Sequence, residues 1–110
     1  MIVYVAGPYT KGDVAMNVKL AIEAGNNLRA LGHVPFIPHL THFWHMLYSH
    51  DIEYWYAYDL EWLKKCDAVF RISGESKGAD EEERVAKELG LPVFYSYADL
   101  VSHNRKDQLE

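Results

Sequence analysis

The sequence predicts an α/β fold in which a parallel sheet of four to five strands lies between two layers of helices. Two observations lead to this prediction. Short apolar runs alternate with longer segments of helical periodicity, in the order β-α-β-α-β-α-β. The apolar runs are continuous, which is typical of parallel strands covered on both faces. Strands that alternate with helices join through right-handed crossovers, so helices cover both sides of the sheet.

Length, charge and cysteine content narrow the class of protein. The chain has 110 residues and is expected to form one domain over residues 1–110, with a polar tail from about residue 103. The net charge of −5 argues against a nucleic-acid polymer as partner but leaves room for a local phosphate pocket. The single cysteine, Cys66, excludes an intrachain disulfide and fits a reducing, cytoplasmic location. No stretch is long enough to span a membrane, and the first residues are expected to form a strand rather than a signal peptide.

The first strand, residues 2–6, leads into a glycine-bearing turn. The turn contains Gly7, Pro8, Tyr9 and Lys11. Such a turn between a strand and a helix can offer backbone N–H groups to an anion, although it matches neither a dinucleotide fingerprint nor a Walker loop. A helix is predicted over residues 13–31, because apolar side chains recur at helical spacing and Gly32 follows. Its predicted apolar side is Val18, Ala21, Ile22, Ala24, Gly25, Leu28 and Leu31.

The second strand is predicted at residues 34–38, where two prolines suit an edge position. Three histidines follow at three-residue steps: His39, His42 and His45. Three-residue steps drift around a helix, and no second group of Cys, Asp or Glu completes a metal site. A metal centre is therefore the weaker interpretation of this spacing.

Two acidic residues fall on apolar helix faces. The predicted helix over residues 53–65 places Asp59 among aromatic and aliphatic neighbours. After a third strand at residues 68–72 and a small polar loop, a further helix places Glu82 on a stripe with Ala79, Val85, Ala86 and Leu89. A carboxylate that faces a sheet is costly unless it is paired or used. The alternative, in which acids complement the helix dipole, accounts for Asp80 and Glu81 better than for Glu82.

The spacing of residues around Glu82 resembles a known signature. Gly78, Glu82 and Ala86 stand four residues apart, and Gly90, Leu91, Pro92 and Val93 follow as the last strand begins. This pattern resembles the nucleoside 2-deoxyribosyltransferase-like superfamily, which includes the deoxynucleoside 5′-monophosphate N-glycosidases. The resemblance extends over roughly residues 2–96. It implies a flavodoxin-like or Rossmann-like fold, a nucleoside or nucleotide as substrate, no metal or other cofactor, and frequent dimers.

The resemblance also implies roles for individual residues. Glu82 matches the nucleophile that attacks the anomeric carbon, Tyr4 matches a tyrosine near that glutamate, and Asp59 matches an active-site residue that handles a substrate hydroxyl or the leaving base. Ser76 matches a serine that contacts phosphate in the monophosphate hydrolases, and Asn17 also recurs in the family.

Further substrate contacts are expected at the carboxyl ends of the strands, where open parallel sheets bind ligands. The residues on these loops that we expect to contact substrate are Gly7, Pro8, Tyr9, Lys11, His39, Ser76, Lys77 and Gly78.

Three functions remain open at this point. The first is an N-glycosidase acting on a nucleoside 5′-monophosphate, which Ser76, Lys77 and Lys11 favour. The second is a transferase that exchanges bases between nucleosides. The third is a non-catalytic nucleotide-binding module, because residues 80–83 are more acidic than is usual around the family's glutamate.

Aromatic density between residues 43 and 62 has two interpretations. The residues concerned include Phe43, Trp44, Tyr48, Tyr54 and Trp55. In the first interpretation these residues belong to the core and to the contact of a homodimer, where aromatic side chains are enriched. In the second they form a lid on which a nucleobase stacks.

Overall fold

Four parallel strands form the centre of the fold in residues 1–109, the part of the chain that the structure, a computed structural model, describes. Side chains are described as far as residue 105. The strands are β1 (Ile2–Ala6), β2 (Val34–Phe36), β3 (Ala68–Arg71) and β4 (Val93–Phe94), in the spatial order β2-β1-β3-β4. The predicted parallel sheet is confirmed, and β2 lies at an edge as its prolines indicate.

Helices cover both faces of this sheet. They are α1 (Val14–Ala30), α2 (Thr41–Leu47), α3 (Ile52–Leu63), α4 (Lys77–Glu88) and α5 (Tyr97–Leu109), and a short 3-10 turn spans Pro38–Leu40. The arrangement is a single α/β domain of the flavodoxin-like or Rossmann-like class. No helix within residues 1–109 is long and apolar enough to cross a bilayer.

The pleat of the strands divides the core into two halves. One half lies between the sheet and helices α1 and α5, and includes Val3, Val5, Phe70, Leu28 and Leu100. The other half lies between the sheet and helices α3 and α4, and includes Tyr4, Ala6, Val69, Leu63 and Ala86. Successive strand residues point to opposite faces, so the continuous apolar runs supply both halves at once. Tyr4 therefore faces the helix that carries Glu82.

The structure differs from the predicted elements at several ends. Strand β2 stops at Phe36 because Pro38 begins the 3-10 turn. Helix α2 is an additional element within the histidine-rich segment, and α5 extends to Leu109, through most of the polar tail expected from about residue 103. Much of the expected polar tail is therefore helical backbone, while residue 110 lies outside the described residues.

Three residues assigned to apolar helix faces are more exposed than predicted. Ile22, Leu31 and Leu89 keep 38%, 43% and 47% of their surfaces accessible. Leu31 and Leu89 are the C-cap residues of α1 and α4, where the chain turns away from the sheet. Ile22 lies beyond the edge of the buried stripe of α1, whose core positions are Val18, Ala21, Ala24, Gly25 and Leu28.

Candidate active site

The loops after β1 and β3 meet at the carboxyl edge of the sheet. The chain leaves β1 toward β2 on one side and reaches β3 on the other, which makes this edge the topological switch point. A Cβ atom placed on Gly7 would lie 3.0 Å from Ile72 Cβ, and one on Gly74 would lie 2.8 Å from Pro8 Cγ. Glycine is thus required for the close approach of the two loops, which form one wall of the site.

Glu82 and Tyr4 form the polar centre of the face covered by α3 and α4. Tyr4 is completely buried in the middle of β1, and its phenol O–H donates to Glu82 Oε2. The flanking helix residues Ala79 and Ala86 are buried against the same strands. Helix α4 therefore presents Glu82 toward the sheet, in the direction that its apolar stripe predicts.

Burial controls the charge of Glu82. Removal from water raises the pKa of the Glu82 carboxyl to about 8, because an apolar environment disfavours the anion. The helix N-terminus and the Tyr4 phenol both favour the anion, so the two effects oppose each other. The sequence leaves this balance open, and in the fold the desolvation of the carboxyl prevails.

The neighbouring acids do not share this environment. Each of them lies against a cation of the same protein. The pairs are Asp80 with Arg71, Glu81 with Arg84, and Glu83 with Lys87. Among the described side chains of residues 80–83, the Glu82 carboxyl is bonded to the Tyr4 phenol and not to a cation. The acidic run therefore leaves a single carboxyl directed at the sheet.

Asp59 supplies a second perturbed carboxyl on the same side of the sheet. It lies on α3, partly buried, and its Oδ1 atom has no hydrogen-bond partner among the residues described. Burial raises the pKa of Asp59 to about 7. Helices α3 and α4 are joined by Tyr56, whose phenol donates to Glu81 Oε1 at 3.2 Å. The fold thus brings two carboxyls that can hold protons near neutral pH onto adjacent helices.

The turn after β1 is held from two directions. Asn17 Nδ2 donates to Tyr9 O at 2.9 Å and to Lys11 O at 2.8 Å. His39 is buried and donates from Nε2 to Pro8 O at 2.9 Å. Burial lowers the pKa of His39, which favours the neutral ring, and the bond to Pro8 O assigns the ring proton to Nε2. Gly7, Pro8 and Tyr9 are therefore fixed by side chains of α1 and the 3-10 turn.

The three evenly spaced histidines have separate partners. His39 bonds to Pro8, the His42 Nδ1 atom lies 2.6 Å from the Tyr9 hydroxyl, and His45 Nδ1 accepts from Trp55 Nε1 at 2.8 Å. Within the described part of the chain, no three His, Cys, Asp or Glu side chains converge as the ligands of a metal would. The spacing reflects three different structural contacts.

The residues expected to bind phosphate gather at the start of α4. Ser76 is the N-cap of the helix, and its Oγ accepts from Ala79 N at 3.1 Å. Lys77 and Gly78 occupy the first helical turn and are exposed. Lys11 reaches across from the other loop, where its Nζ lies 3.4 Å from Glu75 Oε1. The Ser76 hydroxyl proton is free to bond elsewhere, because the capping bond uses only an oxygen lone pair.

Aromatic side chains border the site along α2 and α3. Phe36 stacks on Trp62 with ring centroids 5.1 Å apart, and the Phe36 ring also contacts the Tyr4 ring. Trp44 meets Trp55 edge to face at 4.9 Å. Beyond these contacts, α2 and the start of α3 expose a series of large apolar side chains to solvent: Phe43, Met46, Leu47, Tyr48, Ile52 and Tyr54. We call these six residues the apolar rim.

Arg71 is a polar element that the sequence analysis missed. It ends β3, only 7% of its surface is accessible, and it pairs with Asp80. The sequence pattern predicted a continuous apolar strand at this position. The charge of Arg71 at the carboxyl end of that strand was the feature that could have indicated a buried ion pair.

Comparisons with known proteins agree with this geometry. A family model described as a domain of unknown function (DUF7768) matches residues 1–96, and the chain belongs to that family. Among solved structures, the chain is similar to 2-deoxyribosyltransferase from the psychrotolerant bacterium Bacillus psychrosaccharolyticus. The two are 26% identical with a TM-score of 0.65, over 84% of this chain and 69% of the other. No curated protein matches the sequence.

The raised pKa of Glu82 predicts a pH-dependent effect of Glu82→Gln on stability. Since the folded-state pKa of about 8 exceeds the ordinary glutamate value of 4.5, the stability of the unmodified protein falls as pH rises between these two values. The variant lacks this loss, so we expect it to gain about 4 kcal/mol relative to the unmodified protein between pH 5 and pH 8.5. Urea denaturation at both pH values measures the difference.

The matched control is Glu88→Gln, which removes an exposed acid from the same helix. It should show no comparable change between the two pH values. A stability difference for Glu82→Gln that is the same at pH 5 and pH 8.5 would contradict the buried state of this carboxyl.

Proposed function

We propose that this DUF7768 member is an N-glycosidase that cleaves a (deoxy)nucleoside 5′-monophosphate through a covalent glycosyl-glutamate intermediate. The similarity to a 2-deoxyribosyltransferase supports an enzyme that breaks an N-glycosidic bond, by hydrolysis or by transfer. The observation that carries the proposal is the partly buried carboxyl of Glu82, hydrogen-bonded by Tyr4 and directed at the sheet beside the switch point.

Glu82 acts as the nucleophile in this proposal. Its carboxylate attacks C1′ while the bond from C1′ to the base nitrogen breaks, and the electron pair of that bond leaves with the base. Positive charge develops on the sugar in the transition state, and a desolvated carboxylate stabilises that charge strongly. Because the pKa of Glu82 is about 8, the carboxyl must first release its proton to solvent, and the Tyr4 O–H stabilises the anion that results. The reacting form is the one in which Glu82 is ionised while Asp59 keeps its proton.

Asp59 acts as the acid and then as the base. With a pKa of about 7 it holds a proton in part of the molecules at neutral pH, and it gives that proton to the departing base. Water then attacks C1′ of the glycosyl ester, Asp59 takes a proton from the water, and the C1′–O bond to Glu82 breaks. The two displacements at C1′ give overall retention of configuration.

The phosphate is assigned to the start of α4. The donors there are the Ser76 hydroxyl, the exposed amides of Lys77 and Gly78, and the ammonium groups of Lys77 and Lys11. Since the protein carries a net charge of −5, these local donors must supply the attraction. This clustering favours a nucleotide over an uncharged nucleoside.

A transferase is the second candidate, because the similar solved structure is a 2-deoxyribosyltransferase. The two reactions share the glycosyl-glutamate and differ in whether water or a second base resolves it. The third candidate, a binding module, rested on the acidic run. Pairing of Asp80, Glu81 and Glu83 with cations removes that objection to catalysis.

We also place the protein in the cytoplasm as a homodimer. The single cysteine of the chain, Cys66, is a free and buried thiol, which fits a reducing compartment. The apolar rim suits a second copy of this chain, since exposed apolar patches of this kind mark interfaces.

Glu82→Gln should abolish release of free base while the protein remains folded. The amide is isosteric with the acid but is a far weaker nucleophile, so we expect a rate loss of about 10³-fold or more. The assay incubates the protein with nucleosides and their 5′-monophosphates, with and without an added second base, and separates products by chromatography. Equal losses in Glu82→Gln and in the control Glu81→Gln would refute the assignment; a new nucleoside formed with the second base would favour the transferase.

Ser76 offers a test of nucleotide against nucleoside. Ser76→Ala should reduce monophosphate cleavage by one to two decades, the value of about 1.5–3 kcal/mol for a hydrogen bond to a charged group, and leave nucleosides unchanged. Because Ser76 also caps α4, Ser76→Asp is the informative companion. Aspartate keeps the cap but repels phosphate. Equal losses for both substrate classes in Ser76→Ala that Ser76→Asp restores would assign Ser76 to loop structure alone.

The homodimer is tested at the apolar rim. Leu47 and Ile52 are 79% and 74% accessible, so Leu47→Glu and Ile52→Glu should leave the fold intact and prevent association by burying a charge in the contact. Light scattering at micromolar concentration should give a dimer for the unmodified protein and monomers for these variants. Leu20→Glu, at an exposed leucine of α1, is the control. A monomeric unmodified protein would reject the proposal.

A further inference from the structure

Arg71 is a buried cation at the end of β3, beside the strand that carries Tyr4. It ends β3 directly opposite Ala6 of β1, two residues beyond Tyr4. Its side chain retains only 8% of its accessible surface. Burying a guanidinium is costly unless its N–H groups are satisfied, so its bonding partners show what the cation holds in place.

The partners of Arg71 come from three successive parts of the chain. Its Nη1 donates to Ile72 O at the strand end, and its Nη2 donates to Gly74 O at 3.0 Å and to Asp80 Oδ1 at 2.9 Å. Gly74 has a φ of +126°, a conformation that side-chain-bearing residues rarely adopt. One guanidinium thus connects the strand end and the loop to the first turn of α4.

Asp80 and Glu82 anchor α4 on different sides. Two residues along an α-helix correspond to a rotation of about 200°, so the two side chains leave the helix in nearly opposite directions. Asp80 is held by Arg71, and Glu82 is held by Tyr4. Two polar contacts on opposite sides, with Ala79 buried between them, fix both the position and the rotation of this part of the helix.

The Asp80 side chain is 70% exposed, so its ion pair with the buried Arg71 adds little net stability. Its distinctive property is geometric, because the planar guanidinium offers N–H groups in a rigid fork that a lysine cannot reproduce. The pair is therefore suited to setting an orientation. The side chain to be oriented is Glu82, two residues along the helix.

We propose that Arg71 and Asp80 form a positioning pair that sets the orientation of Glu82 toward the sugar without contacting the substrate. The proposal rests on the proposed function of Glu82. Displacement of a reacting group by about 1 Å costs on the order of 10²-fold in rate. Loss of the pair should therefore lower kcat by about 10–100-fold and leave KM within about threefold.

The experiment compares three variants with one control. Asp80→Ala removes the contact, and Asp80→Asn removes the charge but keeps an oxygen that can accept from Arg71. Arg71→Lys keeps the charge and loses the fork. The control, Glu88→Gln, breaks an exposed pair on the same helix. Each protein is assayed at a temperature where circular dichroism shows it folded.

We expect kcat to fall in Asp80→Ala and Arg71→Lys, to recover in Asp80→Asn to within about fivefold of the unmodified value, and to be unchanged in Glu88→Gln. Equal kcat losses in Asp80→Ala and Asp80→Asn would overturn the proposal, because charge instead of geometry would then be responsible. Unchanged kcat in all variants would overturn it as well.

A second readout does not depend on turnover. Carbon-13 NMR of labelled glutamate carboxyls follows the titration of Glu82, whose signal is identified by its absence in Glu82→Gln. Asp80→Ala should shift the Glu82 pKa downward from its raised value as the carboxyl gains water, while Asp80→Asn and Glu88→Gln should not. An unmoved titration in Asp80→Ala would reject the positioning role. If the unmodified protein cleaves no substrate but this shift is observed, the pair positions Glu82 and the proposed function fails by itself.

Discussion

The contact between Tyr4 and Glu82 is the constraint on which the rest of the site depends. It joins the central strand of the sheet to α4 through a tyrosine that is completely buried. A carboxyl held there loses its hydration, so its pKa rises to about 8 and the anion becomes available only at a free-energy cost. In the proposed reaction that cost makes the carboxyl reactive, because a poorly solvated carboxylate stabilises a developing sugar cation better than a hydrated one.

The acids next to Glu82 are paired with cations, whereas the Glu82 carboxyl is bonded to a tyrosine. Asp80, Glu81 and Glu83 each have a cation of their own, and Lys11 is drawn to Glu75 on the opposite loop. The loops after β1 and β3 are packed together through their glycines and held by side chains from α1 and the 3-10 turn. The two loops at the switch point thus form one rigid side of the candidate site, and the aromatic side chains of α2 and α3 border the opposite side.

The sequence predicted the sheet, its parallel direction and most helix positions, because these follow from local patterns. Continuous apolar runs supply residues to both faces of a buried strand. Gly32 and Gly90 follow the ends of two helices and adopt a positive φ, a conformation that favours glycine. The errors lie where no such pattern exists. Helix α2 has no buried residue of its own, and the later part of α5 is polar, so neither segment shows the amphipathic spacing that identifies a helix.

The sequence by itself determined that Glu82 faces the sheet and that Asp59 lies among apolar neighbours, because helical periodicity is a property of one segment. Only the tertiary structure decided what these carboxyls meet. Tyr4 and Glu82 are 78 positions apart in the chain, and the partner of Asp80 lies on a different element. Burial, pKa and ion pairing depend on which side chains converge across that separation, and no local pattern carries this information. The same reason explains why Arg71, hidden in an apolar run, acquired a role only once the strand and helix were placed together.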